Sequence, residues 1–117
     1  EEKVALQHAL GINPGWSEAR RALAEVCERD GDFEASREHL VVAVRHQPLD
    51  AFNHGCLADI LWKLKDRLAA IQSVERALRL NPEYGWGWRA LAAWSPSTGS
   101  SSRALELARE FTRTRGG

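Results

Sequence analysis

The sequence predicts an all-α fold, a solenoid of stacked antiparallel helix pairs with about seven helices. Three observations carry that expectation. A motif returns every 34 residues, the apolar residues between its copies keep helical spacing, and no stretch alternates with the period of two of a half-buried strand.

The repeat is anchored by Asn13-Pro14, Gln47-Pro48 and Asn81-Pro82, each 34 residues from the next. The approach to each proline is alike: Leu10 to Pro14, Val44 to Pro48, Leu78 to Pro82. The same register superposes Leu23, Leu57 and Leu91, then Ala24, Ala58 and Ala92, then the small residues Ser36, Ala70 and Ala104.

The first element, about 3–12 within residues 1–14, reads as the second helix of a partial unit. In the unit 17–50, Ala19, Leu23, Val26 and Cys27 fall on one face of a helix, and Asp30-Gly31-Asp32 breaks it. A second helix follows through Phe33, Leu40, Ala43 and Val44, closed by a proline that cannot continue the hydrogen-bond ladder. The unit 51–84 repeats this plan. Leu57, Ile60, Leu61 and Leu64 form its first stripe, Lys65-Asp66 the break, and Leu68, Ile71, Val74, Leu78 and Leu80 the second stripe. The last unit, 85–117, diverges. Pro96 would cost a continuing helix roughly 3 kcal/mol, so its first helix is expected to end near Trp94 or Ser95. A loop over 95–102 and a final helix over roughly 102–115 complete it.

A 34-residue helix–turn–helix unit with these residues resembles the tetratricopeptide repeat. The matching positions are Leu23-Ala24, Ser36, Leu40, Ala43 and Pro48; then Leu57-Ala58, Ala70, Val74, Ala77 and Pro82; then Trp88, Leu91-Ala92 and Ala104. The resemblance implies a right-handed α-solenoid in which 1–117 forms one domain. The alanines at 24, 58 and 92 let the helices of a unit approach, and the small residues at 36, 70 and 104 let units stack. Two departures stand out. The aromatic usual at the fourth place of each unit is present only as Trp88, with Arg20 and His54 in the other two. In the final helix the expected large and then small residue are reversed, as Ala108 and Phe111.

Composition narrows the function classes. The 117 residues carry 16 basic and 16 acidic side chains, 44% hydrophobic residues, two cysteines and no methionine. No run approaches the roughly 18 apolar residues of a membrane span, and two cysteines form no disulfide framework, so a reducing, cytoplasmic setting is expected. The absent methionine and the Glu1-Glu2 start suggest a piece of a longer array. Residues 1–50 hold ten acids and six bases, and residues 51–117 hold six acids and ten bases, so neutrality hides a gradient of charge.

No catalytic constellation is visible. His8, His39, His46 and His54 form no metal-ligating pair; His39 and His46, two turns apart, are separated by roughly 10 Å. Cys27 and Cys56 read as small core residues. No nucleophile–base order and no glycine-rich phosphate loop appears. The chain is therefore expected to be no enzyme and to need neither cofactor nor metal.

In the family it resembles, the first helix of each unit lines a concave groove. That places Glu18, Arg21, Glu25, Glu28 and Arg29 on the inner face of the first complete unit. Phe52, Cys56, Asp59, Trp62 and Lys63 follow in the second, and Trp86, Arg89 and Ala93 in the third. Glu18/Arg21, Arg21/Glu25 and Glu25/Arg29 are spaced to pair along one helix. Phe52 and Trp86 occupy equivalent inner positions of adjacent units and are expected to be neighbours.

The expected function is protein–protein interaction. A peptide would be anchored by Phe52, Trp62 and Trp86, oriented by Arg21, Lys63 and Arg89, and bordered by Glu25 and Asp59. A clamp for acidic chaperone tails is not expected, because Glu25 would repel the carboxylate. The alternatives are a targeting arm of a larger enzyme, such as a glycosyltransferase or dioxygenase, and a self-association module. Nucleic acid is not an expected partner, since Glu106 and Glu110 interleave Arg103, Arg109, Arg113 and Arg115, and neither is a membrane, since no apolar run is long enough to span one.

Overall fold

The computed structural model describes residues 2–98 and 103–116. Seven α-helices and one 3-10 turn follow in chain order, with no strand among the described residues: α1 (Glu2–Ile12), α2 (Ser17–Arg29), α3 (Phe33–His46), α4 (Ala51–Lys63), α5 (Arg67–Leu80), α6 (Gly85–Trp94), the 3-10 turn (Ser95–Thr98) and α7 (Arg103–Gly116). They stack into a body of 49 × 29 × 18 Å, elongated as a solenoid is.

The 34-residue period reappears as geometry. Three turns between units share one hydrogen bond, from Trp16 N to Asn13 O, Asp50 N to Gln47 O and Tyr84 N to Asn81 O, at 3.1, 3.3 and 3.1 Å. Each turn leaves its last residue extended at the start of the next helix; Asp50 also caps α4 by accepting from the Phe52 N–H at 3.0 Å.

The breaks inside the two units also match. Asp32 N bonds Cys27 O while Gly31 N bonds Glu28 O, and Asp66 N bonds Leu61 O while Lys65 N bonds Trp62 O. Both are Schellman turns, which need a left-handed residue. Gly31 supplies it at φ 81°; Lys65 adopts it at φ 68° with a Cβ to accommodate. Exchanging Lys65 for glycine is therefore expected to raise stability by about 0.5–1 kcal/mol, net of glycine's extra chain entropy. Urea unfolding measures it; no gain would mean the Lys65 turn is unstrained.

The core runs between units rather than inside one globule. Leu10, Ala19 and Leu23 pack α1 against α2; Ala24, Leu40 and Ile60 join α2, α3 and α4; a larger group around Leu61, Val74, Leu78, Leu91 and Leu107 joins α4 to α7. The fourth-place departures have structural answers. His54 is buried, and its Nε2–H donates to the Pro48 carbonyl at 2.7 Å, as the Trp88 Nε1–H donates to Pro82 at 2.7 Å. Histidine thus makes the bond that tryptophan makes one unit later. Arg20 instead turns to His39 Nδ1 at 3.2 Å. Burial first, and the Arg20 guanidinium second, hold His39 below the usual histidine range, so its ring stays neutral and accepts.

The last unit departs as its sequence suggests, and in one respect further. α6 ends at Trp94, and Pro96 sits in the 3-10 turn. The remainder of the predicted loop, 99–102, lies outside the described residues. Ala92, expected to pack like Ala24 and Ala58, is exposed, because the chain leaves the helical path two residues later and α7 does not close over it as α3 and α5 close over their partners. The apolar edge of α7 is built from Leu107, which is buried, and Phe111, whose ring meets Trp88 edge-on at 5.8 Å. Two bidentate pairs, Arg103 with Glu75 and Arg79 with Glu110, tie α7 to α5.

Candidate functional site

A cavity of about 530 Å³ opens between α2, α4 and the start of α6, with α3 beneath it. α2 contributes Glu18, Arg21, Glu25 and Glu28; α4 contributes Phe52, Gly55, Cys56 and Asp59; Ser36 and Leu40 of α3 lie at its floor. Tyr84 and Trp86 close it on the α6 side. The predicted neighbours Phe52 and Trp86 thus line one cavity, with Phe52 50% exposed.

Tyr84 was not among the residues expected here. It stands in the turn before α6, and its ring lies over Gly55, where a Cβ would fall within 3 Å of the hydroxyl. The readable signal was a glycine inside α4 at the place where the neighbouring units carry Arg21 and Arg89. A mid-helix glycine costs about 1 kcal/mol against alanine, and here it makes room for the tyrosine. Tyr84 in turn leans on Trp86, ring centroids 5.8 Å apart.

The other predicted residues distribute differently. Trp62 does not line the cavity. It stacks on Trp94 at 4.7 Å with planes 5° apart and takes the Arg67 guanidinium on its ring, because helix-end packing against α6 offers more contact than open groove. Arg89 is exposed and also outside the cavity. Lys63 stands at the rim, bonded to Glu28 across from α4 to α2 and to Asp59 at 3.0 Å; the Glu28 hydrogen bond above all raises its pKa. Arg21 donates to Asn53 Oδ1 at 2.5 Å, lies 3.5 Å from the Asp50 carboxylate, and covers the Phe52 ring at 4.9 Å.

These engagements correct the expected pairing along α2. Arg21 reaches α4 instead of Glu18 or Glu25, and Arg29 reaches back to Glu2 on α1. Glu18 and Glu25 are left without an ion pair among the described residues. Cys56 is not a plain core residue either: it is half-buried and faces the cavity, whereas Cys27 is buried. Burial pushes the Cys56 thiol up to about 11, so it stays protonated and a weak nucleophile at neutral pH. Among the described residues no helix is long and apolar enough to cross a membrane.

No family model matches the chain. Comparison with curated sequences finds a probable UDP-N-acetylglucosamine–peptide N-acetylglucosaminyltransferase, SEC, of Arabidopsis thaliana, a protein containing tetratricopeptide repeats, 30% identical over 101 residues. That match covers 86% of this chain and 10% of the transferase. Among solved structures, one of MamA superposes with a TM-score of 0.80 at 21% identity, over 97% of this chain and 67% of that one. A second MamA structure gives 0.79 at 14% identity, over 95% and 61%. MamA is a tetratricopeptide-type helical solenoid.

The comparisons support a tetratricopeptide-repeat assignment. Such neighbours support a protein-interaction scaffold in general terms, and the cavity lies on the first-helix side of the stack, where α2, α4 and α6 follow one another.

Proposed function

We propose that this array binds an extended segment of a partner protein in the cavity between α2, α4 and α6, with Phe52, Tyr84 and Trp86 as its apolar wall. The observation that carries the reading is Phe52. It is half exposed, belongs to none of the three core groups, and still faces a cavity shared with a second aromatic, the partly buried Trp86. An aromatic outside the core that carries only the Arg21 guanidinium on its ring yet borders a concavity is the kind of residue on which binding energy concentrates. The chain is read as a binding module and not a catalyst, in a reducing compartment such as the cytoplasm, where Cys27 and Cys56 remain free thiols.

The test separates binding from folding. Phe52→Ala is expected to leave the unfolding midpoint almost unchanged, and Trp86→Ala to lower it while the array stays folded. Each is expected to weaken a groove ligand about tenfold or more, corresponding to about 1.4 kcal/mol or above. Titration calorimetry beside circular dichroism reads both. Unaltered affinity in both variants would remove the groove from consideration.

A second reading makes the array the substrate-recruiting arm of a larger glycosyltransferase, and it is favoured by the 30% identity to the Arabidopsis enzyme. The chain spans about a tenth of that protein. The gene sequence on both sides decides it: a sugar-nucleotide-binding catalytic domain supports this reading, and its absence ends it.

A further inference from the structure

We infer that the occupant of this groove is cationic: a peptide segment bearing arginine or lysine side chains. The inference rests on the groove reading above and adds the chemistry of its ligand. It comes from the way the groove's charges are spent. Its lining carries four carboxylates, Glu18, Glu25, Glu28 and Asp59, against the single cation Arg21. Lys63 satisfies Glu28 and Asp59 from the rim. Arg21 is held by Asn53 and Asp50 and does not turn to the acids of its own helix. Glu18 and Glu25, two turns apart on one face of α2, remain without an ion pair as negative charge facing the aromatic wall.

That arrangement discriminates among partners. An acidic segment would meet two unpaired carboxylates, and like charges across an interface cost several kcal/mol. A purely apolar segment would strip water from both without replacing it. A guanidinium or ammonium group answers them and is also drawn to the faces of Trp86 and Tyr84. The groove already shows that preference internally, since Arg21 lies over Phe52. At the floor, the Ser36 hydroxyl is buried, Ser36 being only 1% exposed, and makes no hydrogen bond among the described residues.

The experiment uses the full chain and random dodecapeptides displayed on phage, counter-selected on the Phe52→Ala/Trp86→Ala variant. Groove-dependent peptides are expected to carry net positive charge. Their synthetic, fluorescein-labelled forms should weaken about tenfold on Glu18→Gln/Glu25→Gln, whose substitutions lie on the exposed side of α2, and should weaken similarly as salt rises from about 50 to about 500 mM. Peptides that need the aromatic wall but are neutral or acidic, or that ignore the glutamine variant, overturn the charge inference and leave the groove standing. Peptides indifferent to the aromatic variant, or no peptides at all, overturn the groove itself. A mass in solution that doubles with concentration in the native chain but not in the glutamine variant seats a second copy in the groove, and the separate peptide is then wrong.

Discussion

Replacing Trp94 with alanine is expected to cost about 3–5 kcal/mol, the range for emptying a large aromatic site in a packed interior. Trp94 is 9% exposed and joins two units: its ring stacks on Trp62 of α4 at 4.7 Å and makes a T-shaped contact with Trp86 of α6 at 5.8 Å, with planes 83° apart. Aromatic pairs add about 0.5–1.5 kcal/mol each beyond the area they bury. A domain of this size has about 5–15 kcal/mol in total, so the loss is a large fraction of it. Because each unit of a solenoid touches only its neighbours, the loss falls on one junction. Amides of α6 and α7 should exchange with solvent faster than those of α2 and α3, and the urea midpoint should fall. A loss below about 1 kcal/mol, or uniform exchange along the chain, would mean that the three rings do not hold this junction.

That junction also marks the boundary of what the sequence could show. Helix order, the three equivalent turns and the stop before Pro96 follow from local rules, because a period of 34, a proline and a Schellman turn act within a few residues of themselves. Which partner a long side chain chooses is a different matter. Arg21 could pair along α2 or reach α4, and spacing cannot rank a neighbour one turn away against one on the next helix. The interhelical gap decides, and the buried carboxamide of Asn53 wins. Trp62 poses the same choice between groove and packing, settled by Trp94 at a helix end whose position depends on the broken third unit. The reversal of Ala108 and Phe111 was visible in the sequence, but its consequence was not. Leu107 and Phe111 form the inward edge of α7, and Ala92 is left uncovered.

Asn53 carries the second large effect. It sits where the neighbouring units place Ala19 and Gly87, which was the available sign that this position asks for something small and buried. Its side chain is fully buried and bonded on both sides. The Nδ2 group donates to the Ala43 carbonyl at 3.3 Å, with the Gln47 carbonyl and the Ser17 hydroxyl at 3.5 Å, and Oδ1 accepts from Arg21. One carboxamide therefore fastens α4 to α2 and to the end of α3. Asn53→Ala is expected to cost about 2–3 kcal/mol, since it removes these bonds and leaves the Arg21 guanidinium with the Asp50 carboxylate at 3.5 Å and the Phe52 ring alone. The release should reach the groove as well. Without Asn53, Arg21 is free to swing toward Glu18 and Glu25, which would cancel the charge that a cationic segment answers. Asn53→Ala should thus weaken groove peptides at temperatures where the variant is still fully folded, and the added substitution Arg21→Gln should restore part of that affinity. Unfolding curves measure the first effect and peptide titration the second. A variant that loses stability but binds as the native chain does would show Asn53 to be a fastening alone, with no hold on the charge of the groove.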